Sequence, residues 1–333
     1  CQIIFFCINI IYPMIISFLI STTVILLISL NNNFFGSKLS LLDKPTKDKI
    51  HKKKTPLLGG LIISIILIIF LIFNHKNEDD YLFPFIFLFA FFTLGIIDDR
   101  INLTSNYKIL FTTIFSVILI LNDESFLIHK IFFEITNNEF YFGKFKIPIT
   151  LLCILLLYIA MNMSDGINCL LITFSIFAII TINYLIANMS LNLFDISILF
   201  SLIFLVYFNY KNMIFLGNSG ASVLAAYFIY KLININYFNQ IDVFKVVSIF
   251  LIMGLDMVRL VIIRLYQKKN PFERDLNHFH YLLLKKFSLI QTIVIYLILS
   301  FSPIMFSNLI KISIIYFVPI SAIIYFYILN RLV

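Results

Sequence analysis

Charge and sulfur are both scarce in this chain of 333 residues. Only 13% of the residues are charged, whereas 61% are hydrophobic and the mean hydropathy is +1.01. Soluble domains contain roughly 45–50% apolar residues, so the composition excludes a water-soluble protein built around one core. The four cysteines, Cys1, Cys7, Cys153 and Cys169, have no CxxC or metal-ligand spacing, which argues against a disulfide framework. A cleavable signal and an internal repeat are not recognisable either.

The few charged residues are mostly positive, with a formal net charge of +8. In loops between membrane spans such charge reports topology and contact with anionic membrane lipids before it reports nucleic acid. The sequence contains no nucleic-acid-binding motif. We therefore expect membrane lipids, and not nucleic acid, as partners.

Long apolar runs fill most of the chain. A membrane helix needs about 20 mostly apolar residues, and continuous runs of this kind indicate helices instead of a β-barrel. We predict an all-α polytopic transmembrane bundle that forms one domain over residues 1–333. Its eleven spans are expected near 3–30, 57–73, 82–97, 107–122, 148–163, 167–187, 193–210, 219–235, 243–265, 288–307 and 311–330.

Lysine and arginine concentrate in alternate breaks between these spans. Breaks 31–56 and 266–287 are the richest, whereas segment 123–147 on the opposite side holds few. By the positive-inside rule, the basic breaks face the cytoplasm, with the N-terminus outside and the C-terminus inside. In segment 123–147, aromatic residues alternate around Gly143, which predicts a small hairpin outside the membrane.

Two carboxylates, Asp98 and Asp99, stand side by side at the inner end of the third span. Each raises the pKa of the other unless a cation offsets it, which a catalytic base or a Mg²⁺ site exploits. The alternative is a solvated helix end paired with Arg100 or Lys108. This motif alone does not decide between the two.

Two short polar breaks each lead into an apolar helix. Residues 162–168 (Asn-Met-Ser-Asp-Gly-Ile-Asn) carry oxygen-bearing side chains around a glycine, which suit a hard cation such as Mg²⁺. Residues 215–222 (Phe-Leu-Gly-Asn-Ser-Gly-Ala-Ser) allow backbone N–H groups to approach a phosphate at a helix start. Helix capping is the alternative for both breaks, by Asn218 or Ser219 in the second.

The last basic loop, residues 268–281, combines Lys, Arg and His side chains. Several donors of this kind suit a diphosphate, and zinc is disfavoured because the His278-x-His280 pair has no further Cys or His close by. A basic loop on anionic lipid is the alternative. Inside the ninth span, Asp256 and Arg259 lie one turn apart, and we interpret them as a structural ion pair.

These motifs, in this order, resemble the polyprenyl-phosphate N-acetylhexosamine-1-phosphate transferases of glycosyltransferase family 4. These bacterial membrane enzymes start O-antigen, enterobacterial common antigen and wall teichoic acid assembly. The resemblance covers nearly the whole chain, and the His278-Phe279-His280 loop is closer to the branch with GlcNAc-type donors than to the branch that transfers phospho-MurNAc-pentapeptide. Its carriers are Asp43-Lys44-Pro45, His51, Thr55–Gly60, Asp98-Asp99, Asn162–Gly166, Phe215–Gly220 and His278-x-His280.

The resemblance implies a reaction between a UDP-N-acetylhexosamine and polyprenyl phosphate, undecaprenyl phosphate in bacteria. The products are polyprenyl-diphospho-HexNAc and UMP. It also implies a multi-pass protein of the bacterial inner membrane, with eleven spans, an active site on the cytoplasmic side, and Mg²⁺ as cofactor with Mn²⁺ as the alternative ion. A homodimer is left open.

The resemblance also assigns roles to residues. One of Asp98 and Asp99 is expected to deprotonate or orient the lipid phosphate, while the other positions Mg²⁺ or substrate. The expected Mg²⁺ ligands are Asn162, Asp165 and Asn218. The expected substrate-binding residues are His51, Lys53, Asn168, Arg274, His278 and His280.

The sequence departs from the family pattern at three positions. Asn168 and Asn218 stand where the family commonly has aspartate, and Tyr281 stands where it has a third histidine. Because a neutral amide is a weaker Mg²⁺ ligand, a catalytically weakened relative that binds lipid phosphate or UDP-sugar is one alternative. A transporter with a relay of Asp98, Asp99 and Asp256 is a second, disfavoured because most acidic groups lie at the cytoplasmic boundary.

Overall fold

The computed structural model describes residues 12–43, 53–73, 78–238, 241–271 and 275–332, with the side chains of 78–82 left out. Helices dominate these ranges. The α-helices in chain order are α1 Tyr12–Leu30, α2 Asn32–Lys38, α3 Gly59–Phe73, α4 Glu78–Ile101, α5 Ser105–Asn122, α6 Lys146–Ser164, α7 Leu170–Thr181, α8 Leu193–Tyr210, α9 Gly217–Phe238, α10 Val243–Tyr266, α11 Phe279–Lys286, α12 Leu289–Ile310 and α13 Phe317–Leu332. The strands are β1 Leu42–Asp43, β2 Thr55–Pro56, β3 Lys130–Phe133 and β4 Asn138–Tyr141.

Every predicted span coincides with a helix over its described residues, and the all-α membrane bundle is confirmed. Two helical segments, Gly59–Phe73 and Leu170–Ile186, are apolar but shorter than 18 residues. The segments long and apolar enough to cross a membrane number seven in the described part of the chain: Tyr12–Leu30, Ser105–Asn122, Gly143–Ser164, Leu193–Tyr210, Val243–Tyr266, Leu289–Ile310 and Ile314–Leu332. The count of eleven spans stays a prediction.

The chain divides into two compact units. Unit 1 comprises Cys1–Asn102 and Leu191–Val223, and unit 2 comprises Leu103–Ser190 and Leu224–Val333. The single domain over residues 1–333 stays a prediction.

Unit 1 is built around α3, whose apolar residues pack against α1, α4 and α8. The Phe18 ring lies 5.1 Å from that of Phe70 and 4.8 Å from that of Phe200, in edge-on arrangements that aromatic pairs favour. Before α3, the short strands β1 and β2 pair antiparallel, which the sequence did not predict. This pairing holds the start of α3 against the rest of the unit.

Unit 2 is built around α10, which packs against α6, α12 and α13. The Phe174 ring in α7 lies 5.7 Å from that of Phe250 and 5.3 Å from that of Phe301. Helix α11 packs on both α12 and α13. These contacts fix the loop that precedes α11.

The predicted hairpin is present in unit 2 as β3 and β4, which pair antiparallel. Its turn lies at residues 134–137, not around Gly143. Asn137 takes a left-handed conformation with φ +52°, which asparagine tolerates better than most residues. The Lys130 ammonium lies 2.5 Å from Glu139 across the strands. The placement of this hairpin outside the membrane stays a prediction.

Candidate functional site

In unit 1, the Asp99 carboxylate caps the start of α9. Its Oδ1 accepts the backbone N–H of Asn218 at 2.7 Å, and its Oδ2 accepts that of Ser219 at 3.0 Å. The first N–H groups of a helix lack partners within the helix and carry partial positive charge, so a carboxylate is favourable here. The alternative of a side-chain cap by Asn218 or Ser219 is wrong, because α9 begins at Gly217 and both residues lie inside it.

Both acidic residues of the pair are buried. Asp98 is 2% exposed and Asp99 8% exposed, so the alternative of a solvated helix end is wrong. Arg100 is exposed and donates its Nε–H to the Leu39 carbonyl at 3.1 Å. Burial raises the pKa of Asp99 to about 6, with the Asp98 charge as a smaller contribution, while hydrogen bonds from Ser219 and Asn218 oppose the rise. A carboxylate with such a pKa is a suitable proton acceptor near neutral pH.

The two glycine-containing motifs of unit 1 contact each other through their backbones. Gly59 donates its N–H to the Phe215 carbonyl at 3.0 Å, and Gly60 donates to the Leu216 carbonyl at 3.2 Å. Phe215 in turn donates to the Pro56 carbonyl at 2.8 Å. The Thr55–Gly60 and Phe215–Gly220 motifs therefore form one structural element.

Glycines make this close approach achievable. A Cβ added at Gly60 would lie 2.5 Å from the Gly220 nitrogen, and one at Gly95 would strike the Ser219 Cα. Gly95 lies one turn before Asp99 in α4. A side chain at either glycine would separate its helix from the start of α9, which Asp99 caps.

The structure says little about the two substrate-binding candidates nearest the N-terminus, His51 and Lys53. Lys53 is exposed, and its carbonyl accepts a hydrogen bond from the Thr55 hydroxyl at 3.3 Å. His51 lies outside the described residues. Their predicted role in binding substrate stays a prediction.

In unit 2, residues 162–168 join α6 to α7. The Asn162 amide donates to the Tyr158 carbonyl at 2.9 Å, and its Oδ1 is buried without a hydrogen-bond partner among the described residues. Asp165 and Asn168 are half-buried. Cys169 holds the N-cap position of α7 without a side-chain hydrogen bond, and the alternative that this motif caps the next helix stays a prediction.

Asp256 of α10 holds the histidine loop. Its Oδ2 lies 2.9 Å from the His278 Nδ1, and its Oδ1 accepts the Phe279 backbone N–H at 3.1 Å. Oδ1 also accepts from Arg259 at 2.7 Å and from the Tyr325 hydroxyl at 3.1 Å. The predicted Asp256 and Arg259 pair is confirmed. Its link to His278 was missed, because a contact 22 residues apart leaves no helical spacing to detect.

His280 packs against the glycine of the 162–168 motif. Its ring lies parallel to that of His278, with 5.4 Å between centroids and 9° between planes. A Cβ added at Gly166 would strike His280 and Tyr281. The His280 Nε2 is buried and has no hydrogen-bond partner in the described part of the chain. Unit 2 thus brings two predicted motifs into contact.

The His280 ring is fully buried, which lowers its pKa to about 3, with a further lowering from His278. It is therefore neutral at pH 7. A neutral imidazole offers one donor and one acceptor nitrogen, so His280 contributes hydrogen bonding and not positive charge.

Arg264, only 3% exposed, forms hydrogen bonds to both ends of the segment Pro271–Asp275, which precedes the histidines. It donates two hydrogen bonds to the Asp275 Oδ2, at 2.9 and 3.1 Å, and one to the Pro271 carbonyl at 2.7 Å. Although burial opposes it, hydrogen bonds from Asn277 and Arg264 lower the pKa of Asp275. The predicted substrate-binding residue Arg274 falls between the two clasped ends and outside the described residues.

The oxygens of the candidate metal-binding residues suit a hard cation that has few protein ligands and takes the others from water and substrate. Over the described ranges, no group of three or more His, Cys, Asp or Glu is placed to hold a metal ion. Mg²⁺ at phosphate-transfer sites takes one or two carboxylates and completes its shell with water and substrate. In unit 2 the buried Asn162 Oδ1 is an oxygen of the type that such an ion takes, and in unit 1 the carboxylates of Asp98 and Asp99 are as well. The metal-binding roles of Asn162, Asp165 and Asn218 stay predictions.

Sequence comparison relates the chain to a protein family and to several known proteins. The model of glycosyl transferase family 4 matches residues 81–237. The undecaprenyl-phosphate alpha-N-acetylglucosaminyl 1-phosphate transferase of Thermotoga maritima is 29% identical over 80% of this chain and 80% of its own length. A probable undecaprenyl-phosphate N-acetylglucosaminyl 1-phosphate transferase of Bacillus subtilis is 26% identical over 85% and 81%.

A second kind of relative shares the similarity at lower coverage. The phospho-N-acetylmuramoyl-pentapeptide-transferase of Prochlorococcus marinus is 29% identical over 66% of this chain and 64% of its own length. The matched region of the family model includes Asp98, Asp99, Asp165 and Asn218. The family model and these relatives support the predicted resemblance to glycosyl transferase family 4 and a sugar-phosphate transferase activity.

Proposed function

We propose that the chain transfers HexNAc-1-phosphate, with GlcNAc-1-phosphate as the expected group, from a UDP-sugar to polyprenyl phosphate. An oxygen of the lipid phosphate attacks the phosphorus that bears the sugar. The bond from this phosphorus to the bridging oxygen breaks, and UMP leaves. Polyprenyl-diphospho-HexNAc, with undecaprenyl as the bacterial carrier, then begins a cell-surface glycan.

The observation that carries the proposal is the buried Asp99 at the N-terminus of α9. Its carboxylate is fixed by two backbone N–H groups, at 2.7 and 3.0 Å, so its position does not depend on a mobile side-chain partner. With a pKa of about 6, it accepts a proton from the lipid phosphate near neutral pH. The adjacent Asp98 positions substrate or metal.

The histidine loop is assigned to the donor. His278 and His280 present two parallel rings, and the clasp of Arg264 on Asp275 limits the movement of the loop. Asn168 lies in the motif that packs on this loop and is proposed to contact the sugar nucleotide. Several fixed donors suit the spread charge of a diphosphate.

Magnesium is the proposed cofactor, with manganese as the alternative. When bound, the ion supplies positive charge that offsets the phosphate oxygens as they approach. Asn162, Asp165 and Asn218 are its proposed ligands. Their oxygens match the preference of hard cations, and Asn218 contributes an amide where a carboxylate binds more strongly.

The basic loops support a cytoplasmic active site in the bacterial inner membrane. Breaks 31–56 and 266–287 carry most of the lysine and arginine between the predicted spans. Charge of this kind stays on the cytoplasmic side during insertion. A UDP-sugar is soluble, so it reaches a site on that side without crossing the bilayer.

The proposal is tested by UMP release from purified protein supplied with polyprenyl phosphate and a panel of UDP-sugars, with and without Mg²⁺. We expect release that needs both lipid and metal and is fastest with UDP-GlcNAc. Binding of UDP-sugar without UMP release would instead support the catalytically weakened relative. Solute transport into liposomes without UMP release would contradict the proposed transfer.

A further inference from the structure

The Asp256 carboxylate makes four hydrogen bonds, most of them to the histidine loop or to residues beside it. It is 5% exposed, and four groups of unit 2 point at its two oxygens. Three of these, the His278 ring, the Phe279 N–H and the Arg259 guanidinium, lie on or next to the loop. Arg259 also donates to the Asn277 carbonyl at 2.6 Å. Every residue from 277 to 279 is therefore held by Asp256 or by its ion-pair partner.

An ion pair alone does not require this arrangement. Arg259 would neutralise Asp256 through one oxygen, yet the second oxygen, Oδ2, goes to the imidazole at 2.9 Å. A carboxylate on one ring nitrogen fixes the tautomer of a neutral histidine and the orientation of its ring. Because Oδ2 accepts, Nδ1 carries the hydrogen, and Nε2 is the ring nitrogen that remains for other partners.

The histidine rings transmit this constraint along the loop. His278 and His280 are parallel within 9°, and His280 in turn fills the space beside Gly166. Rotation of the His278 ring would therefore remove the stacking surface of His280. Control of one ring fixes the pair.

We propose that Asp256 is a positioning residue for His278: it holds Nδ1 so that Nε2 accepts a hydrogen bond from the sugar of the UDP-sugar. This inference rests on the proposed function, since it assigns a hydroxyl or amide N–H of the donor sugar as the partner of Nε2. It adds a residue from the middle of a predicted span to the machinery of the loop. Asp256 itself does not touch the substrate.

Two substitutions at position 278 distinguish the role of Nδ1 from that of Nε2. Asparagine places its amide near the former Nδ1 and so keeps a donor for Asp256, whereas glutamine reaches the former Nε2. We expect His278→Asn to fold like the wild type but to lose about 10- to 100-fold in kcat/KM for the UDP-sugar. His278→Asn with wild-type kcat/KM would overturn the proposal, because the contact would then be structural only.

A double-mutant cycle tests whether Asp256 acts through His278. We expect Asp256→Asn to lower kcat/KM by about 10- to 100-fold, and to have no further effect in a His278→Gln background. Equal losses in both backgrounds would overturn the proposal. The matched control is Asp242→Asn, a carboxylate that caps the start of the same helix by accepting the Phe244 N–H at 3.1 Å. Asparagine keeps that cap, so activity should not change.

A measurement without turnover separates this inference from the proposed function. In ¹⁵N-histidine NMR of the full chain in detergent, assigned with His278→Gln, the neutral His278 ring should carry its proton on Nδ1. Asp256→Asn should move it to Nε2. An unchanged tautomer would overturn the positioning role, even if wild-type protein releases UMP. Wild-type protein with the predicted tautomer but without UMP release would contradict the proposed function alone.

Discussion

The two units each bury an aspartate at a predicted motif, but they satisfy it in different ways. Asp99 of unit 1 is held by backbone N–H groups from Asn218 and Ser219 at the start of a helix. Asp256 of unit 2 is held by a guanidinium, an imidazole, a hydroxyl and one backbone N–H. Helix N–H groups supply only partial charge, whereas Arg259 supplies a full charge.

This difference distinguishes the proposed proton acceptor, Asp99, from the proposed positioning residue, Asp256. Partial charges hold Asp99 in place but leave its pKa raised to about 6, a value that suits a proton acceptor near neutral pH. The charge of Asp256 is neutralised by Arg259, and its oxygens also accept hydrogen bonds from His278 and Phe279 of the loop. The same residue type, equally buried, is suited to proton transfer in one unit and to positioning in the other.

The largest effect is expected from Asp99→Asn, which should lower UMP release by about 10²- to 10⁴-fold. The amide cannot accept the proton of the lipid phosphate, and its NH₂ group cannot accept an N–H of α9. Radiolabelled UDP-GlcNAc measures the loss. Asp195→Asn is the control, since Asp195 is a buried carboxylate of the same unit in the capping box of α8. Wild-type turnover by Asp99→Asn would remove Asp99 from the mechanism.

The next largest effect is expected from Gly95→Ala. The new Cβ would lie 2.7 Å from the Asn218 carbonyl oxygen and would strike the Ser219 backbone, so α4 and α9 must separate. We expect about 100-fold lower activity from misplacement of Asp99 and about 1–3 kcal/mol lower stability.

A matched substitution in unit 2 controls for the effect of the alanine itself. A Cβ at Gly254, inside α10, meets nothing within 4 Å. Gly254→Ala should therefore raise helix stability by up to about 1 kcal/mol. Circular dichroism during heating in detergent compares the two variants. Equal stability of both would show that the close approach at Gly95 is not required.

A smaller effect is expected from Asn218→Asp, which adds a full charge to the helix start in unit 1. A carboxylate binds Mg²⁺ more strongly than an amide, so half-maximal activity should need about tenfold less Mg²⁺. A Mg²⁺ titration of UMP release measures the shift. An unchanged Mg²⁺ requirement would exclude Asn218 from the metal shell.

The smallest effect is expected from the pH dependence of stability due to His280. Its pKa is lowered to about 3 in the folded protein, so between about pH 6.5 and 3 the unfolded chain binds more protons. Stability should fall as the pH falls below about 6.5, by at most about 1.4 kcal/mol per pH unit. His280→Gln should reduce this slope. The same slope in both proteins would contradict the burial of a neutral ring.

The sequence predicted helices and motifs better than contacts. Apolar runs mark a membrane helix whatever surrounds it, so the spans of α6 and α10 were found within a few residues. The β1 and β2 pairing was missed because strands of two residues carry no periodicity. The hairpin was recognised, but its turn was misplaced: the strands turn at residues 134–137, where Asn137 has φ +52°, whereas Gly143, which has the same φ, lies beyond the end of β4.

The sequence indicated candidate site residues but not the hydrogen bonds that they make. Asp98, Asp99 and the His278-x-His280 pair were found because charge is rare in this chain. The capping of α9 by Asp99 was not found, because local sequence favours a cap from Asn218 or Ser219. Asp256 was paired only with Arg259, since helical spacing reveals neighbours on the same helix and nothing 22 residues away.

The cap of α9 by Asp99 also has a consequence for the order of synthesis. Asp99 is made 119 residues before Asn218, the first residue to donate to it. At about 5–20 residues per second, the two are separated by roughly 6–24 s on the ribosome. Throughout this interval the Asp99 carboxylate, at the end of the third predicted span, still lacks the helix that it will cap. The hydrogen bonds of Asp99 are therefore complete only after the start of the eighth predicted span has been made.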